Sequence, residues 1–180
     1  MKAKISSPES VRLLLEGSLT LSQIEHNGIK IDVEYVNKTM EELTTRIREK
    51  ETKLKQDPIY ITWRRAYGYK TNLGSHDQLG DVLFNILKYP CVSRTSTGLP
   101  KTDEAELSKI NHPFVKEYLY IQKLRKVNGT FLKGIKDEVV NGFVHPFFHL
   151  HKVSTFRGSS SDPNFQNFPK RNPEMYALVR

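Results

Sequence analysis

Apolar residues recur at helical spacing from the start of the chain. Between residues 8 and 26 they lie three or four positions apart, which places them on one face of a helix. Ser6 or Ser7 can cap this helix and Pro8 suits its first turn, whereas Asn27-Gly28 is a typical stop. The pattern therefore predicts a first helix over residues 8–26.

A second, longer helix is predicted after a short extended stretch at residues 29–32. Asp32 can cap it, and apolar residues then recur every three, four or seven positions as far as Leu54. Acidic and basic residues are paired four positions apart in the order that favours a helix, as in Glu34 with Lys38. We expect a long, exposed, coiled-coil-like helix whose charges form a solvated face.

Further helices are predicted in the middle of the chain. Ser75 and Gln78 have the spacing of a capping box, in which the Gln side chain reaches back to the Ser backbone, and a helix as far as Pro90 follows. Residues 60–74 are assigned neither helix nor strand, and a loop over 90–102 precedes a short helix over 103–110. His112-Pro113 opens a helix that runs to about residue 136. Its apolar stripe is predicted to be buried and consists of Phe114, Tyr118, Ile121, Leu124, Val127, Phe131 and Ile135.

Strand signals lie near the C-terminal end. Asn141-Gly142 between apolar residues is a strong hairpin signal, and residues 143–153 have the composition of a strand leaving that turn. This strand leads to the polar stretch RGSSSDPNFQNFPKR, residues 157–171. Together these elements predict an α+β fold that is mainly α, with antiparallel helices and a small β-hairpin at the C-terminal end.

Composition and charge narrow the class of protein. The 180 residues include one cysteine, Cys91, which excludes an internal disulfide, and no apolar run is long enough for a signal peptide or a membrane span. We expect a cytoplasmic protein without a membrane partner. The net charge is +8, and residues 121–180 hold ten Lys and Arg against four Asp and Glu, whereas residues 1–60 hold ten of each. This excess favours contact with a polyanion such as nucleic acid, although many basic proteins bind nothing specific.

Three histidines are candidates for a metal site. His145, His149 and His151 share one face of the predicted strand, and imidazole is a common zinc ligand. A zinc site generally needs a fourth ligand, so ordinary hydrogen-bonded or exposed histidines are the alternative, and a zinc-dependent hydrolase would require stoichiometric metal. The serines at 159–161 lack the Gly-x-Ser-x-Gly context of a nucleophile, and the chain has no Gly-rich phosphate loop.

The polar stretch carries hydrogen-bond donors rather than core residues. Planar or cationic donor groups are supplied by Arg157, Asn164, Gln166 and Asn167. Asp162-Pro163 favours a turn among them. In the minor groove of DNA every Watson–Crick pair presents acceptors in nearly the same places. Donors aimed there test the shape of a base pair without reading its sequence, which is what a template-copying enzyme needs.

The same stretch resembles the GRLSSSDPNLQNIPxR segment of family A DNA polymerases, the bacterial DNA polymerase I type. Further segments resemble motifs of this family in the same order: LLEGSLTLSQIEHNGIKID, NLGSHDQLGDVLFNILKYP, RTSTGLPKTDEAEL and NHPFVKEYLYIQKLRKVNGTFLKGI. The resemblance covers nearly the whole chain. It implies a leading segment at residues 1–32, a helical thumb over 33–136 that grips the primer–template duplex, and the start of the palm over 137–180.

The resemblance also implies DNA contacts. Arg157 is expected to reach the minor groove at the primer terminus. The newly formed duplex is expected near Asn164, Gln166 and Asn167. A backbone phosphate is expected near Arg171. Thumb contacts with phosphates are expected from Asn72, Ser75, Lys126 and Thr130. A structural interpretation explains them almost as well, since Ser75 caps a helix and Thr130 is alternatively an ordinary helix residue. Several residues depart from the family pattern in ways expected to alter or weaken DNA contact, namely Asn128, Phe131, Leu150, Phe156 and Gly158.

No catalytic residue is assigned within the 180 residues. In family A the two catalytic metal ions, expected to be Mg²⁺, are held by palm aspartates whose motifs the resemblance does not find here. We therefore expect no cofactor on this chain, and either a fragment or one product of a split polymerase gene, for example of a phage. A second chain would then supply the rest of the palm and the fingers, docking at an unpaired sheet edge near residues 143–156. The alternative is a non-catalytic duplex-DNA-binding module.

Overall fold

The computed structural model describes residues 7–91, 93–150, 152–153 and 157–168. The α-helices within these ranges are α1 (Pro8–Asn27), α2 (Val33–Leu54), α3 (Pro58–Tyr67), α4 (His76–Gly80), α5 (Glu104–Leu107), α6 (Pro113–Lys126) and α7 (Lys133–Glu138). Segments of π-helix at Asp81–Ile86 and Val127–Leu132 follow α4 and α6, and 3-10 turns lie at Gly68–Lys70 and Phe165–Asn167. The strands are β1 (Ile29–Lys30), β2 (Phe143–Val144), β3 (Phe147–His149) and β4 (Ser159–Ser161). The predicted α+β, mainly α fold is confirmed.

Both N-terminal helices begin at the predicted capping residues. The Ser10 backbone N–H donates to the Oγ atom of Ser7 at 3.3 Å, and α1 ends at Gly28, whose φ of 70° suits glycine. At the start of α2, the Tyr35 N–H donates to Oδ1 of Asp32 at 2.9 Å. These ends depend on local hydrogen bonds, which is why the sequence pattern locates them.

The apolar side chains of α1 are largely exposed. This helix contributes no buried residue, and Leu13, Leu15 and Leu19 are 72%, 63% and 73% exposed. Among the described residues, no helix combines the length and the apolarity needed to cross a bilayer.

The chain divides into two compact units, one comprising Leu43–Lys126 and the other comprising the residues before and after that range. The Leu43–Lys126 unit has an apolar core whose largest fully buried side chains include Trp63, Phe114 and Tyr118. Burial raises the pKa of the Tyr118 phenol. Two ion pairs add to this core by joining α2 to α6, Lys50 to Glu117 at 2.6 Å and Arg125 to Glu51 at 2.7 Å. Because these charges are partly exposed, apolar burial accounts for most of the stability of the unit.

Helix α3 was missed by the sequence pattern. Pro58 occupies its first turn, and Asp57 caps it by accepting a hydrogen bond from the Ile59 N–H at 2.8 Å. The side chains of Ile59 and Trp63 are buried at four-residue spacing. The signal is therefore present, but only two core residues carry it and the aromatic and basic residues around them obscure it.

The helix predicted from His112-Pro113 exists, but a π-helical segment interrupts its register. A π-helical turn holds more residues than an α-helical turn, so it moves the apolar stripe along by about one residue. Leu132 is fully buried, at 0% exposure, whereas Phe131 is only half-buried. The prediction that Phe131 belongs to the buried stripe is therefore wrong.

The predicted hairpin turn is confirmed. Asn141 and Gly142 have φ values of 53° and 82°, as a tight two-residue turn requires, and the Val140 N–H donates to the Phe143 carbonyl at 2.8 Å. The strand after the turn nevertheless pairs with β1, with Ile29 opposite Val144 in an antiparallel register.

The strand predicted over residues 143–153 is divided into β2 and β3. His145-Pro146 separates the two, because proline has no N–H to donate to a strand partner. Strand β3 pairs with β4 instead, also antiparallel. Within the described residues β2 and β3 each have one neighbouring strand, but the other side of each is partly occupied: Phe143 also bridges to Val140, and the Phe148 N–H donates to Oε1 of Glu25 in α1.

Replacing Leu132 with Ala should lower the free energy of unfolding by about 2–5 kcal/mol, because a fully buried leucine leaves a cavity. Thr130→Ala, two residues away at an exposed position, should change it by less than about 0.5 kcal/mol. Urea denaturation followed by circular dichroism measures both variants. Equal effects of the two substitutions would contradict the shifted register.

Candidate nucleic-acid interface

The polar stretch begins on a strand. The residues Arg157–Phe168, called the polar loop below, start with β4, in which Ser160 lies opposite Phe148 of β3. Ser160 is buried at 4% exposure, and its Oγ donates to Oδ1 of Asn164 at 3.3 Å. This bond connects the strand to the turn that follows, so the loop has a fixed base.

Asn164 organises that turn. Its Oδ1 also accepts a hydrogen bond from the Gln166 backbone N–H at 3.1 Å, and it thereby caps the 3-10 turn Phe165–Asn167. The two lone pairs of the oxygen are then used within the loop. The Nδ2 amide is the part of this exposed side chain that remains for a ligand.

Three donor side chains of the polar loop face solvent. Arg157, Gln166 and Asn167 are exposed, and none of these side chains forms a hydrogen bond with the described residues. Nε2 of Gln166 lies close to Gly158, since a Cβ atom added there would be 3.9 Å from it. The structure thus brings the Gln166 amide next to the backbone beside Arg157. Arg171 lies outside the described residues.

The predicted thumb contacts Asn72 and Ser75 belong to one hydrogen-bonded loop in the Leu43–Lys126 unit. Ser75 caps α4 by accepting from the Gln78 N–H at 3.3 Å, as predicted. The Gln78 side chain, however, does not reach back to Ser75. Its Oε1 accepts from Nε1 of Trp63 at 3.0 Å and from the Asn72 N–H at 2.9 Å. The second half of the capping box is therefore wrong, because the buried indole N–H needs an acceptor.

This loop presents a donor and a cation to solvent. Asn72 is exposed, and its Oδ1 accepts from the Gly74 N–H at 2.8 Å, which leaves its Nδ2 as the outward donor. The carbonyl of the exposed residue Lys70 accepts from Nε2 of Gln78 at 3.0 Å, so the same side chain holds the backbone of Lys70. Gln78 and Lys70 are the residues that sequence reasoning missed here. The position of Gln78, three residues after the cap Ser75, indicated that its side chain forms hydrogen bonds. The local pattern did not indicate that Trp63, Asn72 and Lys70 are the partners.

Lys126 and Thr130 are exposed where α6 passes into the π-helical segment. Lys126 is the last residue of α6, and Thr130 lies within the segment. Lys126 thus ends the Leu43–Lys126 unit, and Thr130 belongs to the other unit.

The histidine cluster is divided among separate contacts. Nδ1 of His145 lies 2.8 Å from the Glu25 carbonyl oxygen, and Nε2 of His149 lies 2.9 Å from Oγ of Ser161. His151 lies outside the described residues. The described part of the chain holds no group of three or more His, Cys, Asp or Glu side chains suited to a metal ion. The two described histidines are thus hydrogen-bonded, as the alternative to a zinc site expects.

Comparison with known proteins assigns the family. The family model of DNA polymerase family A matches residues 4–180. This chain belongs to DNA polymerase family A. It is 33% identical over 161 residues to the thermostable DNA polymerase I of Thermus aquaticus, and 33% identical over 162 residues to DNA polymerase I of Pseudomonas aeruginosa. These alignments cover 87% and 86% of this chain but 18% and 16% of the relatives, so the chain spans less than a fifth of their length.

A solved family A structure has the same fold. The POL domain of Pol1 from M. smegmatis, in complex with DNA primer–template and dNTP, matches with a TM-score of 0.70 and 31% identity. The match covers 86% of this chain and 26% of that chain.

The described residues contain no group of three or more candidate ligands for the Mg²⁺ ions of a family A polymerase. Magnesium is commonly held by one or two carboxylates together with water and substrate phosphates, and no carboxylate of the described ranges is assigned to it. We therefore derive no catalytic step through a metal on this chain.

Replacing Gln78 with Ala should loosen the loop over residues 70–75, because three hydrogen bonds are lost and the buried indole N–H is left without its acceptor. We expect about 10-fold faster hydrogen exchange at the Asn72 amide and a loss of about 1–3 kcal/mol in the free energy of unfolding. The matched control is Gln56→Ala, an exposed glutamine of the same unit. Unchanged exchange at Asn72 would show that Gln78 does not hold the loop.

Proposed function

We propose that this chain grips the primer–template duplex of a family A DNA polymerase, with a thumb over residues 33–136 and the start of the palm over residues 137–180. The observation that carries the proposal is the polar loop. Its strand base and capped turn use the Asn164 oxygen internally, whereas the donors of Arg157, Gln166 and Asn167 face outward. A loop built in this way offers donors to a ligand rich in acceptors.

The minor groove of DNA is such a ligand. Purine N3 and pyrimidine O2 atoms occupy nearly the same positions in every correct base pair, so fixed donors bind all correct pairs alike. A mismatched pair displaces these acceptors. The loop would therefore bind duplex without sequence preference and weaken at an incorrect terminal pair, with Asn164 contributing through its Nδ2 amide.

Phosphate contacts would supply most of the affinity. The exposed side chains Asn72, Lys126 and Thr130 are suited to phosphate oxygens, as is the partly buried hydroxyl of Ser75, and Arg171 is proposed for the same role. The exposed cation of Lys70 adds to this group. Neutralising phosphates releases counterions, so binding should weaken steeply as salt is added. The solved relative in complex with primer–template supports DNA as the partner.

Catalysis would require more of the polymerase than these 180 residues. The chain spans less than a fifth of its relatives, and we assign no catalytic carboxylate to it. We propose that the aspartates and their Mg²⁺ ions belong to a further segment or to a second chain that carries the remaining palm and the fingers. The exposed leucines of α1 form a surface on which such a partner could pack.

The double variant Arg157→Ala, Gln166→Ala should bind primer–template DNA about 10- to 100-fold more weakly than the parent, because two donors to the groove are lost. Fluorescence anisotropy with labelled duplexes of different sequence, each at two salt concentrations, measures this. The matched control Arg48→Ala, Gln56→Ala removes the same residue types from exposed positions of α2 and the segment after it. If both double variants weaken binding equally, only the lost charge matters and the minor-groove role is wrong.

Primer extension tests the need for a partner. The polypeptide encoded after residue 180, or by a neighbouring reading frame, is expressed separately and mixed with this chain and Mg²⁺. We expect more extension from the mixture than from the partner alone, and less when this chain carries the Arg157→Ala, Gln166→Ala substitutions. Extension equal to that of the partner alone would refute the split arrangement and favour a DNA-binding module without synthesis.

A further inference from the structure

Two phenylalanine rings of the polar loop, Phe165 and Phe168, form a cluster with Phe131 of the π-helical segment. The ring centroids of Phe131 and Phe168 are 5.6 Å apart with an interplanar angle of 82°. Those of Phe165 and Phe168 are 4.8 Å apart at 61°. Both pairs have the edge-to-face arrangement that aromatic rings prefer, and each is worth about 2- to 10-fold in an equilibrium.

The π-helical segment makes this contact available. An uninterrupted α-helix would place Phe131 in the buried stripe, at the position that Leu132 occupies instead. The shift leaves Phe131 half-buried and in contact with the loop. The ring of Phe131 thus contacts the polar loop through the ring of Phe168.

The geometry of the 3-10 turn separates these rings from the donors. A 3-10 helix has three residues per turn, so Phe165 and Phe168 lie on one face while Gln166 and Asn167 lie on the others. The backbone bonds of the turn are long, 3.3 Å from the Asn167 N–H to the Asn164 carbonyl and 3.4 Å from the Phe168 N–H to the Phe165 carbonyl. Such bonds are weak, so ring packing adds to the order that the Asn164 cap gives the turn.

We propose that Phe131 is a positioning residue for the recognition of the terminal base pair. Together with Phe165 and Phe168 it clamps the turn, so that the Gln166 and Asn167 amides are held in one orientation before DNA arrives. This inference rests on the proposed function, because the terminal base pair is the ligand that the amides are held to meet.

The clamp has a consequence for selectivity. Donors held in place bind well only when the acceptors stand where a correct pair puts them, whereas mobile donors can follow displaced acceptors. Loosening the clamp should therefore reduce the preference for a matched terminus more than it reduces affinity. The dependence of affinity on salt should stay unchanged, because the phenylalanine makes no phosphate contact.

The first arm of the test uses no DNA. Amide exchange at Asn167 and Phe168 is measured by NMR in the parent, in Phe131→Ala and in the conservative variant Phe131→Tyr. We expect about 3- to 10-fold faster exchange in Phe131→Ala and near-parental rates in Phe131→Tyr. The matched control is Phe147→Ala, since Phe147 is 55% exposed on the strand that pairs with β4. Unchanged exchange in Phe131→Ala would overturn the clamp.

The second arm measures the dissociation constants of primer–templates with a matched and with a mismatched terminal pair. The ratio of the two constants should fall about 3- to 10-fold in Phe131→Ala and should be restored in Phe131→Tyr. Faster exchange with an unchanged ratio would overturn the positioning role. A parent that binds no primer–template refutes the proposed function instead, and the exchange measurements then decide the clamp on their own.

Discussion

Burial of the apolar stripe formed by Val127, Leu132 and Ile135 is the constraint on which the candidate interface depends. The stripe keeps its core positions only because the π-helical segment adds a residue to the helix before Leu132. That residue turns Phe131 toward Phe168 and the polar loop. A change in helix register, made to satisfy the core, thereby determines where the donors of the loop are anchored.

The two candidate contact regions use their amide side chains in the same way. The Oδ1 atom of Asn164 accepts hydrogen bonds within the polar loop, and that of Asn72 accepts from the Gly74 N–H. In both residues the oxygen shapes the local backbone and the nitrogen remains for a ligand. DNA offers mostly acceptors, both at phosphates and in the minor groove, so this division suits the partner proposed here.

Local patterns predicted the elements whose ends depend on nearby residues. The helices α1 and α2 begin at Ser7 and Asp32 because a side chain and an N–H three residues away suffice to cap them. The turn at Asn141-Gly142 was predictable for the same reason, since its backbone angles depend on those two residues. Strand pairing was not, because the choice of β1 as the partner of β2 is made across more than a hundred residues.

The residue types of the candidate interface were readable from the sequence, but the roles of individual side chains were decided by the tertiary structure. The sequence by itself determined that a polar, donor-rich stretch follows a hairpin, and that its motifs are those of DNA polymerase family A. Only the folded chain decided that Gln78 accepts from Trp63 and that Phe131 leaves the core. The first depends on a partner distant in sequence and the second on the register of a buried helix, and the local residue pattern predicts neither of them.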